Sequence, residues 1–290
     1  MNIYGGLNEL PDDGRDLHLG NIVTLPSPTE LPPTFSLGET IIRDQGGAGD
    51  NDFCTAYGTV AAAYLQDGVE GSQAWVFAAS KAISGNEEAF GQDMRTIYKA
   101  WVKYGSPKRK LVEVPQSLSH KRYLDRYNLD LIKEAKRFKK RTYVTCKGPY
   151  DAYDNIRTSI WKYRDEKRAV GIGVVFSWPL SQTHLAGSPS GGFGHFMICT
   201  GWTDEGLEIV NSYGMSAGDK GKHTMARETI NHYVKRYGAY MMIDLPAEKA
   251  REIQDSTIYN RASRSRRLRI RFRKWYNRNL NLRRIYKIGI

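Results

Sequence analysis

The stretch DQGGAGDNDFCTAYGTVAAAYLQDG, residues 44–68, passes at Cys54 from a polar, glycine-rich segment into an apolar run. We expect this run to form a helix that starts at Cys54 and stops at Gly68. Asn51 or Asp52 is the expected N-cap. A thiol in the first turn of a helix lies at the positive end of the helix dipole, which favours the thiolate. The stretch therefore predicts a reactive cysteine.

Two motifs far downstream supply the partners that such a cysteine needs. His195 follows a glycine-rich loop and enters the strand pattern HFMICTGW, and Asn211 ends the strand pattern LEIV. A nucleophilic thiol needs a base for its proton and a group that orients the base. We expect His195 to pair with Cys54, and Asn211 to accept from the other ring nitrogen. Gln45 is the expected oxyanion donor, together with the backbone N–H of Cys54.

Four motifs carry a resemblance to a known family: Asp44-Gln45-Gly46, Cys54-Thr55-Ala56-Tyr57, Gly194-His195-Phe196 and Asn211-Ser212-Tyr213-Gly214. The chain resembles the papain-like cysteine peptidases in these four motifs and, more weakly, over roughly residues 30–245. The resemblance implies a two-lobe α+β fold within residues 31–250, with a helical lobe at about 40–150 and a β-barrel lobe at about 165–245. It implies a cysteine-type endopeptidase or hydrolase with a Cys-His-Asn triad in the cleft, acting on peptide bonds without cofactor or metal.

The resemblance also implies residues that line the substrate groove, namely Gly91, Gln92 and Gly194. Tyr213 stands where the family usually has Trp, and it keeps an aromatic shield over the His–Asn bond. Gln45 and Cys54 are nine positions apart, where the family usually has six. The family's disulfides are missing, and only about 30 residues precede the match. We therefore expect a bacterial, phage or viral variant that is not held silent by a long propeptide.

The register of one predicted hairpin tests this arrangement. If HFMICTGW and LEIV pair symmetrically about residues 204–205, Asn211 faces Ile198 rather than His195. The offset of three residues corresponds to about 10 Å at about 3.3 Å per residue. We expect a bulge or an asymmetric loop to close it.

Charge is concentrated at the C-terminus. The 290-residue chain has a net charge of +12, and residues 251–290 carry 13 Lys or Arg against 2 Asp or Glu. Arginines interleaved with aromatic side chains predict a tail that docks onto a protein partner, with nucleic acid or an anionic membrane as alternatives. Residues 1–30 are rich in Pro and Gly, and we expect an extended segment that wraps the surface.

Cysteine usage and hydropathy bear on location. Cys54, Cys146 and Cys199 are odd in number and far apart, which argues against a disulfide framework. No apolar run reaches the ~18 residues of a membrane span, and the N-terminus lacks a secretory profile. We expect a cytoplasmic or virion-associated protein that is not secreted by a classical signal.

Two other interpretations compete with the peptidase. Gly214-Met215-Ser216-Ala217-Gly218 fits a serine nucleophile motif, with His223 and His232 downstream. Asp219 lies almost beside that serine, however, which does not suit the usual order and spacing of the serine, the acid and the histidine. The second alternative is a catalytically inactive papain-like module, such as a virion or assembly component, because a fold can persist without its activity.

Overall fold

The computed structural model describes residues 6–9, 13–46, 52–86, 89–112, 129–187 and 191–257. Its helices are α1 Leu19–Ile22, α2 Cys54–Asp67, α3 Gln73–Ser84, α4 Met94–Lys103, α5 Leu129–Arg137, α6 Ala152–Lys162 and α7 Arg227–Tyr237. Its strands are β1 Leu7–Asn8, β2 Phe35–Ser36, β3 Gln92–Asp93, β4 Thr142–Thr145, β5 Val170–Phe176, β6 His184–Leu185, β7 Phe193–Trp202, β8 Leu207–Val210, β9 Lys222–Met225 and β10 Ala239–Ile243. The α+β expectation is confirmed, with most helices before β5 and most strands after it.

Helix α2 has the predicted limits but not the predicted cap. It begins at Cys54 and ends before Gly68, which takes the left-handed conformation with φ +65°. Phe53 is the N-cap residue and makes no side-chain cap, and the Asp52 carboxylate accepts instead from the Gly91 N–H at 3.1 Å. Asn51 lies outside the described residues. Asp52 is therefore not the cap of α2, and the Ala56 N–H in the first turn donates to the Phe53 carbonyl O at 2.9 Å.

The strands form one large mixed sheet in the order β4-β10-β5-β7-β8-β9-β6, with β2 added beside β7. Neighbours are antiparallel except for β6 and β9, which are parallel. Strand β7 lies in the interior of the sheet and pairs with β5 along seven positions. The strand that carries His195 is therefore fixed on both sides.

A bulge between β7 and β8 closes one position of the three-residue register offset expected from the sequence. The paired positions are Ile198 with Val210, Cys199 with Ile209, Gly201 with Glu208 and Trp202 with Leu207. Because the ladder skips Thr200, Asn211 continues it opposite Met197 rather than Ile198. His195 is two positions further along on the same face, and side chains at such diagonal positions can touch. The expected bulge is confirmed.

Close packing places α2 directly against β7. A Cβ built on Gly58 of α2 would lie 2.4 Å from ring atoms of Phe196 in β7, so only glycine permits this approach. Nearly all of α2 is buried, which is the behaviour of a helix that is apolar on all sides. This contact brings the start of α2, with Cys54, to the strand that carries His195.

The chain termini differ in part from the expected extended segments. Residues 13–30 include helix α1 and a 3-10 turn at Pro28–Glu30, and residues 6–9 are partly buried rather than wrapped on the surface. Residues 251–257 are helical, and residues 258–290 lie outside the described part, so the predicted docking tail stays a prediction. None of the described helices has the length and hydropathy to cross a membrane.

Candidate active site

Cys54 opens helix α2 and is completely buried. Its Sγ accepts a hydrogen bond from the Gly6 N–H at 3.3 Å. Burial raises the pKa of Cys54 to about 12, although backbone N–H groups of Phe196, Gly6 and Thr55 oppose the rise. The sequence predicted a thiolate-favouring site; in this structure the cost of desolvating the thiolate exceeds the effect of the helix terminus.

His195 lies in β7, and its ring is also completely buried. Its Nε2 is 2.9 Å from Asn211 Oδ1, so the predicted His–Asn contact is present. Its Nδ1 is buried and has no hydrogen-bond partner among the described residues. Burial lowers the pKa of His195 to about 4, with the bond to Asn211 opposing this and the nearby His223 adding to it. The structure therefore holds a neutral imidazole with one ring nitrogen unused.

Sulfur and imidazole lie on elements that touch. The N–H of Phe196 acts on the Cys54 sulfur, and Phe196 is the residue that directly follows His195 in β7. Tyr213 shields the imidazole from another side, with ring centroids 4.9 Å apart and planes 18° apart. If the pairing of β7 with β8 is continued beyond Val210, position 213 comes opposite position 195. The stacking of the Tyr213 ring on His195 agrees with this.

Asn211 is hydrogen-bonded through both ends of its amide. Its Oδ1 accepts from the Ser212 N–H at 2.7 Å as well as facing His195. Its Nδ2 lies 3.0 Å from Nε2 of His223, and Nδ1 of that histidine lies 2.7 Å from the Gln182 carbonyl O. Sequence reasoning did not connect His223 with the site. Its position within the KHTM strand pattern gave no sign of it.

Gln45 is fully buried and joins the same group of residues. Its backbone N–H donates to the Ser212 carbonyl at 2.9 Å, and its Oε1 accepts from the Ser212 hydroxyl at 2.6 Å. Because the oxygen end of the amide is used in this way, the Nε2 end is turned away from Ser212. The residues between Gln45 and Cys54 that lengthen this loop include 47–51, which lie outside the described residues.

Residues 6–9, which we call the cover segment, run over Cys54. Strand β1 of this segment pairs in parallel with β3, with Leu7 beside Gln92. The Gln92 N–H donates to the Gly6 carbonyl at 2.7 Å. Leu7 is 6% exposed, although it lies at an N-terminal position that was expected on the surface. The site is thus covered by residues 6–9 of the chain itself, a contact that the expectation about a long propeptide did not address.

Both predicted groove glycines contact the cover segment. A Cβ on Gly91 would lie 2.0 Å from the Gly6 carbonyl O, and a Cβ on Gly194 would lie 2.2 Å from the Leu7 carbonyl O. The segment therefore passes between two glycines whose missing side chains make room for a backbone. Gln92 takes part through its backbone, because its side-chain amide turns inward to hydroxyls of the α3 helix.

A groove of about 600 Å³ continues from the cover segment along α7. It is lined on one side by Gly192 and Gly194 and on the other by Tyr233, Arg236 and Tyr237. Arg236 pairs with Glu9, its Nε donating at 2.6 Å. This half-exposed ion pair fastens the far end of the cover segment.

The competing serine motif is not assembled. Ser216 is exposed, and His223 bonds to Asn211 and Gln182 instead. His232 lies exposed on α7. Within the described ranges, no group of three or more His, Cys, Asp or Glu side chains is placed to hold a metal ion.

Solved structures with the same architecture are cysteine proteases. Xylellain, a cysteine protease from Xylella fastidiosa, aligns with a TM-score of 0.65 and 19% identity over 84% of this chain and 98% of its own. The Carica candamarcensis cysteine protease CMS1MS2 in complex with E-64 aligns with a TM-score of 0.54 and 14% identity, over 74% of this chain and 99% of its own.

The bromelain protease from Ananas comosus, in complex with the E64 inhibitor, gives a TM-score of 0.54 and 13% identity over 73% of this chain and 99% of its own. No protein-family model and no curated protein matches the sequence. At these identities the likeness concerns the fold, and it agrees with the element order and with the placement of α2 against β7. The chain has the papain-like cysteine protease fold.

Proposed function

We propose that the protein is a cysteine-type peptidase that cleaves peptide bonds with Cys54 as nucleophile and His195 as base. Asn211 orients the imidazole, and Gln45 with the backbone N–H of Cys54 stabilises the oxyanion. The observation that carries this proposal is that only one of the two ring nitrogens of His195 is hydrogen-bonded in the described chain. Its Nε2 is bonded to Asn211, while its buried Nδ1 has no partner in the described chain and belongs to the strand against which Cys54 packs.

The chemistry follows from this arrangement. The Cys54 proton passes to Nδ1 of His195, and the sulfur attacks the carbonyl carbon of the scissile bond. The resulting oxyanion takes hydrogen bonds from the two donors, and His195 then gives its proton to the departing amine. Water, activated by the same imidazole, releases the acyl group from the sulfur. Tyr213 keeps bulk water away from the His195–Asn211 bond throughout.

This chemistry requires the cover segment to leave. With residues 6–9 in place, Cys54 and His195 are both dry and both neutral, with pKa values of about 12 and about 4. Removal of the segment admits water and lowers the cost of charging both groups, so the proton transfer becomes easier. A peptide substrate then occupies the channel between Gly91 and Gly194. In this proposal the closed structure is the resting state.

Covalent labelling of the full chain tests the proposal. We expect an electrophilic peptide probe, or E-64, to modify one cysteine, and Cys54→Ser to abolish the modification. Cys146→Ser is the matched control, because Cys146 is equally buried but lies outside the site. The variant Leu7→Asp, which opens the cover segment, should label faster. Absence of labelling from pH 5 to 8 in both the full chain and the Leu7→Asp variant contradicts a peptidase.

A second candidate is a catalytically inactive module that uses the fold for binding. The covered, neutral Cys54–His195 pair favours it, because an inactive site has no need to open. Under this alternative the Leu7→Asp variant gains no Cys54-dependent turnover, and Cys54→Ser leaves every partner interaction unchanged.

The basic tail is proposed as a docking element for a protein partner, with nucleic acid as the alternative. Residues 251–290 carry 13 of the chain's 43 Lys and Arg, which supports an acidic partner. Binding to nucleic acid predicts a steep loss of affinity with salt that disappears when residues 258–290 are deleted. For location we propose the cytoplasm or a virion, and the three free, buried cysteines support the reducing cytoplasm.

A further inference from the structure

His223 is a buried histidine of β9 that contacts the candidate site through Asn211. It is 2% exposed, and its ring packs edge-on against Phe176 with centroids 6.1 Å apart. Both ring nitrogens are bonded: Nδ1 lies 2.7 Å from the Gln182 carbonyl O, and Nε2 lies 3.0 Å from Asn211 Nδ2. A buried histidine with both nitrogens bonded has a fixed orientation, and its tautomer can be deduced.

The Gln182 carbonyl decides the tautomer of His223. A carbonyl oxygen only accepts, so Nδ1 of His223 must carry the hydrogen. Burial lowers the pKa of His223, which keeps the ring neutral, and its Nε2 is therefore an acceptor. The Asn211 atom that faces this acceptor must be the NH2 group. Without His223, only the bond from Ser212 would indicate which end of the Asn211 amide is oxygen and which is NH2.

The same logic continues to His195. With its NH2 group turned to His223, Asn211 presents Oδ1 to the Ser212 N–H at 2.7 Å and to His195 Nε2 at 2.9 Å. An acceptor at this position requires the hydrogen of His195 to be on Nε2. Nδ1 then carries only a lone pair, and it is the nitrogen without a partner among the described residues.

We propose that His223 is a positioning residue for the proposed peptidase reaction: its fixed Nε2 lone pair holds the Asn211 amide so that His195 keeps a bare Nδ1 for the Cys54 proton. This inference rests on the proposed function. A fixed backbone carbonyl thus determines, through two side chains, which nitrogen of the base is available. We expect an effect on activity of about 10–100-fold, the range typical of outer partners of metal-bound histidines.

Loss of the acceptor has a defined consequence. In His223→Leu the Asn211 NH2 group is buried without its acceptor, which favours rotation of the amide against the hold of the Ser212 N–H on Oδ1. A rotated amide offers NH2 to His195 and stabilises the opposite tautomer, with its hydrogen on Nδ1. In His223→Gln a side-chain carbonyl oxygen can replace the lone pair, so the orientation of Asn211 is kept.

Steady-state kinetics of the full chain with Leu7→Asp test this directly. We expect His223→Leu to lower kcat about 10- to 100-fold with KM nearly unchanged, and His223→Gln to recover most of the loss. The matched control is His184→Leu, because the His184 side chain is exposed and lies 3.9 Å from Glu205 rather than on Asn211 or His223, and it should match the parent. Equal kcat in the Leu and parent proteins, or equal loss in the Leu and Gln variants, overturns the proposal.

Ring nitrogen NMR separates this inference from the proposed activity. In the full chain with Cys54→Ala and 15N-labelled histidines, we expect the Nδ1–H tautomer for His223 and the Nε2–H tautomer for His195. Adding His223→Leu should shift His195 toward a tautomer mixture, and His223→Gln should not. The proposal is overturned if His223 is the Nε2–H tautomer, or if the His195 signals are the same with and without His223→Leu. A chain without Cys54-dependent turnover contradicts only the proposed function, since the NMR outcome still decides the role of His223.

Discussion

The two halves of the candidate site are held in different ways. The imidazole half, built on β7 to β9, is fixed by hydrogen bonds that run from His195 through Asn211 to His223 and to the Ser212 backbone. The sulfur half, at the start of α2, is fixed by packing of the helix on β7 and is closed by the cover segment. The His195 half of the proposed site is therefore already assembled, while Cys54 is still covered.

The difference indicates where control of the site resides. Polar networks in a buried environment are costly to break, so the imidazole half has one arrangement. Among the described residues, the cover segment is held by a two-residue parallel pairing, hydrogen bonds from the Gly6 N–H and the Asn8 side-chain amide, one buried leucine and a half-exposed ion pair. Since this pairing is much shorter than the seven-position pairing of β7 with β5, the sulfur half is the part that we expect to change state. Substitutions that disrupt the hydrogen bonds of the imidazole half should accordingly lower activity, whereas substitutions that release the cover segment should raise it.

Breaking the imidazole half should give the largest effect. We expect His195→Ala to lower kcat/KM about 10³-fold or more, since it removes both the proton acceptor and the acid for the leaving amine. The parent for this comparison is the Leu7→Asp protein, and turnover of a peptide substrate is the measurement. His184→Ala is the matched control. More than a tenth of the parent activity in the His195 variant would rule out the base role.

Opening the sulfur half should raise reactivity. Leu7→Asp places a charge at a 6%-exposed position, which costs about 2 kcal/mol or more in the closed state. The open fraction, and with it the rate of Cys54 alkylation by iodoacetamide, should rise about tenfold or more. Alkylation is followed by mass spectrometry of the Cys54 peptide.

The control for this change is Leu111→Asp, which introduces the same charge at a 49%-exposed leucine. It should leave the alkylation rate unchanged. Equal rates for all three proteins would mean that residues 6–9 do not limit access to the sulfur.

Acid should weaken the closed structure through His195. The pKa of His195 in the folded chain, about 4, is below its ordinary value of 6.5, so the unfolded chain binds this proton at higher pH. Stability is therefore complete above pH 6.5 and is lost as pH falls towards 4, by about 2 kcal/mol at pH 4.5. Urea unfolding at pH 7 and 4.5 measures the loss. The loss of stability should be smaller in His195→Gln and unchanged in His184→Gln. An equal loss in the parent and both variants would mean that other groups cause it.

The smallest effect should come from the ion pair that fastens the cover segment. Glu9→Gln removes the charge partner of Arg236, and both side chains are 53% exposed, so solvent already screens the pair. We expect the Cys54 alkylation rate to rise less than about threefold, and the difference to vanish at high salt. A rise as large as that of Leu7→Asp would show that charge, rather than the buried leucine, keeps the site closed.

The local sequence was sufficient for much of the fold, and the residues that it singled out as site candidates include several that the structure brings together. The apolar run after Cys54 and the glycine at position 68 set the limits of α2, because helix ends depend on nearby residues. The register mismatch at Asn211 even predicted a bulge, since strand pairing advances by a fixed distance per residue. Tyr213 also lies on His195 as the motif implied.

Only the tertiary structure decided the state of the site and its outer partners. The cover segment reaches Cys54 across 48 positions, and His223 reaches Asn211 from another strand; neither contact leaves a local pattern. The protonation of Cys54 and His195 likewise depends on burial, which sums the contributions of all surrounding elements. Residue types fix which chemistry is available, whereas long-range packing fixes whether the thiol is charged and which nitrogen of His195 is without a partner in the described chain.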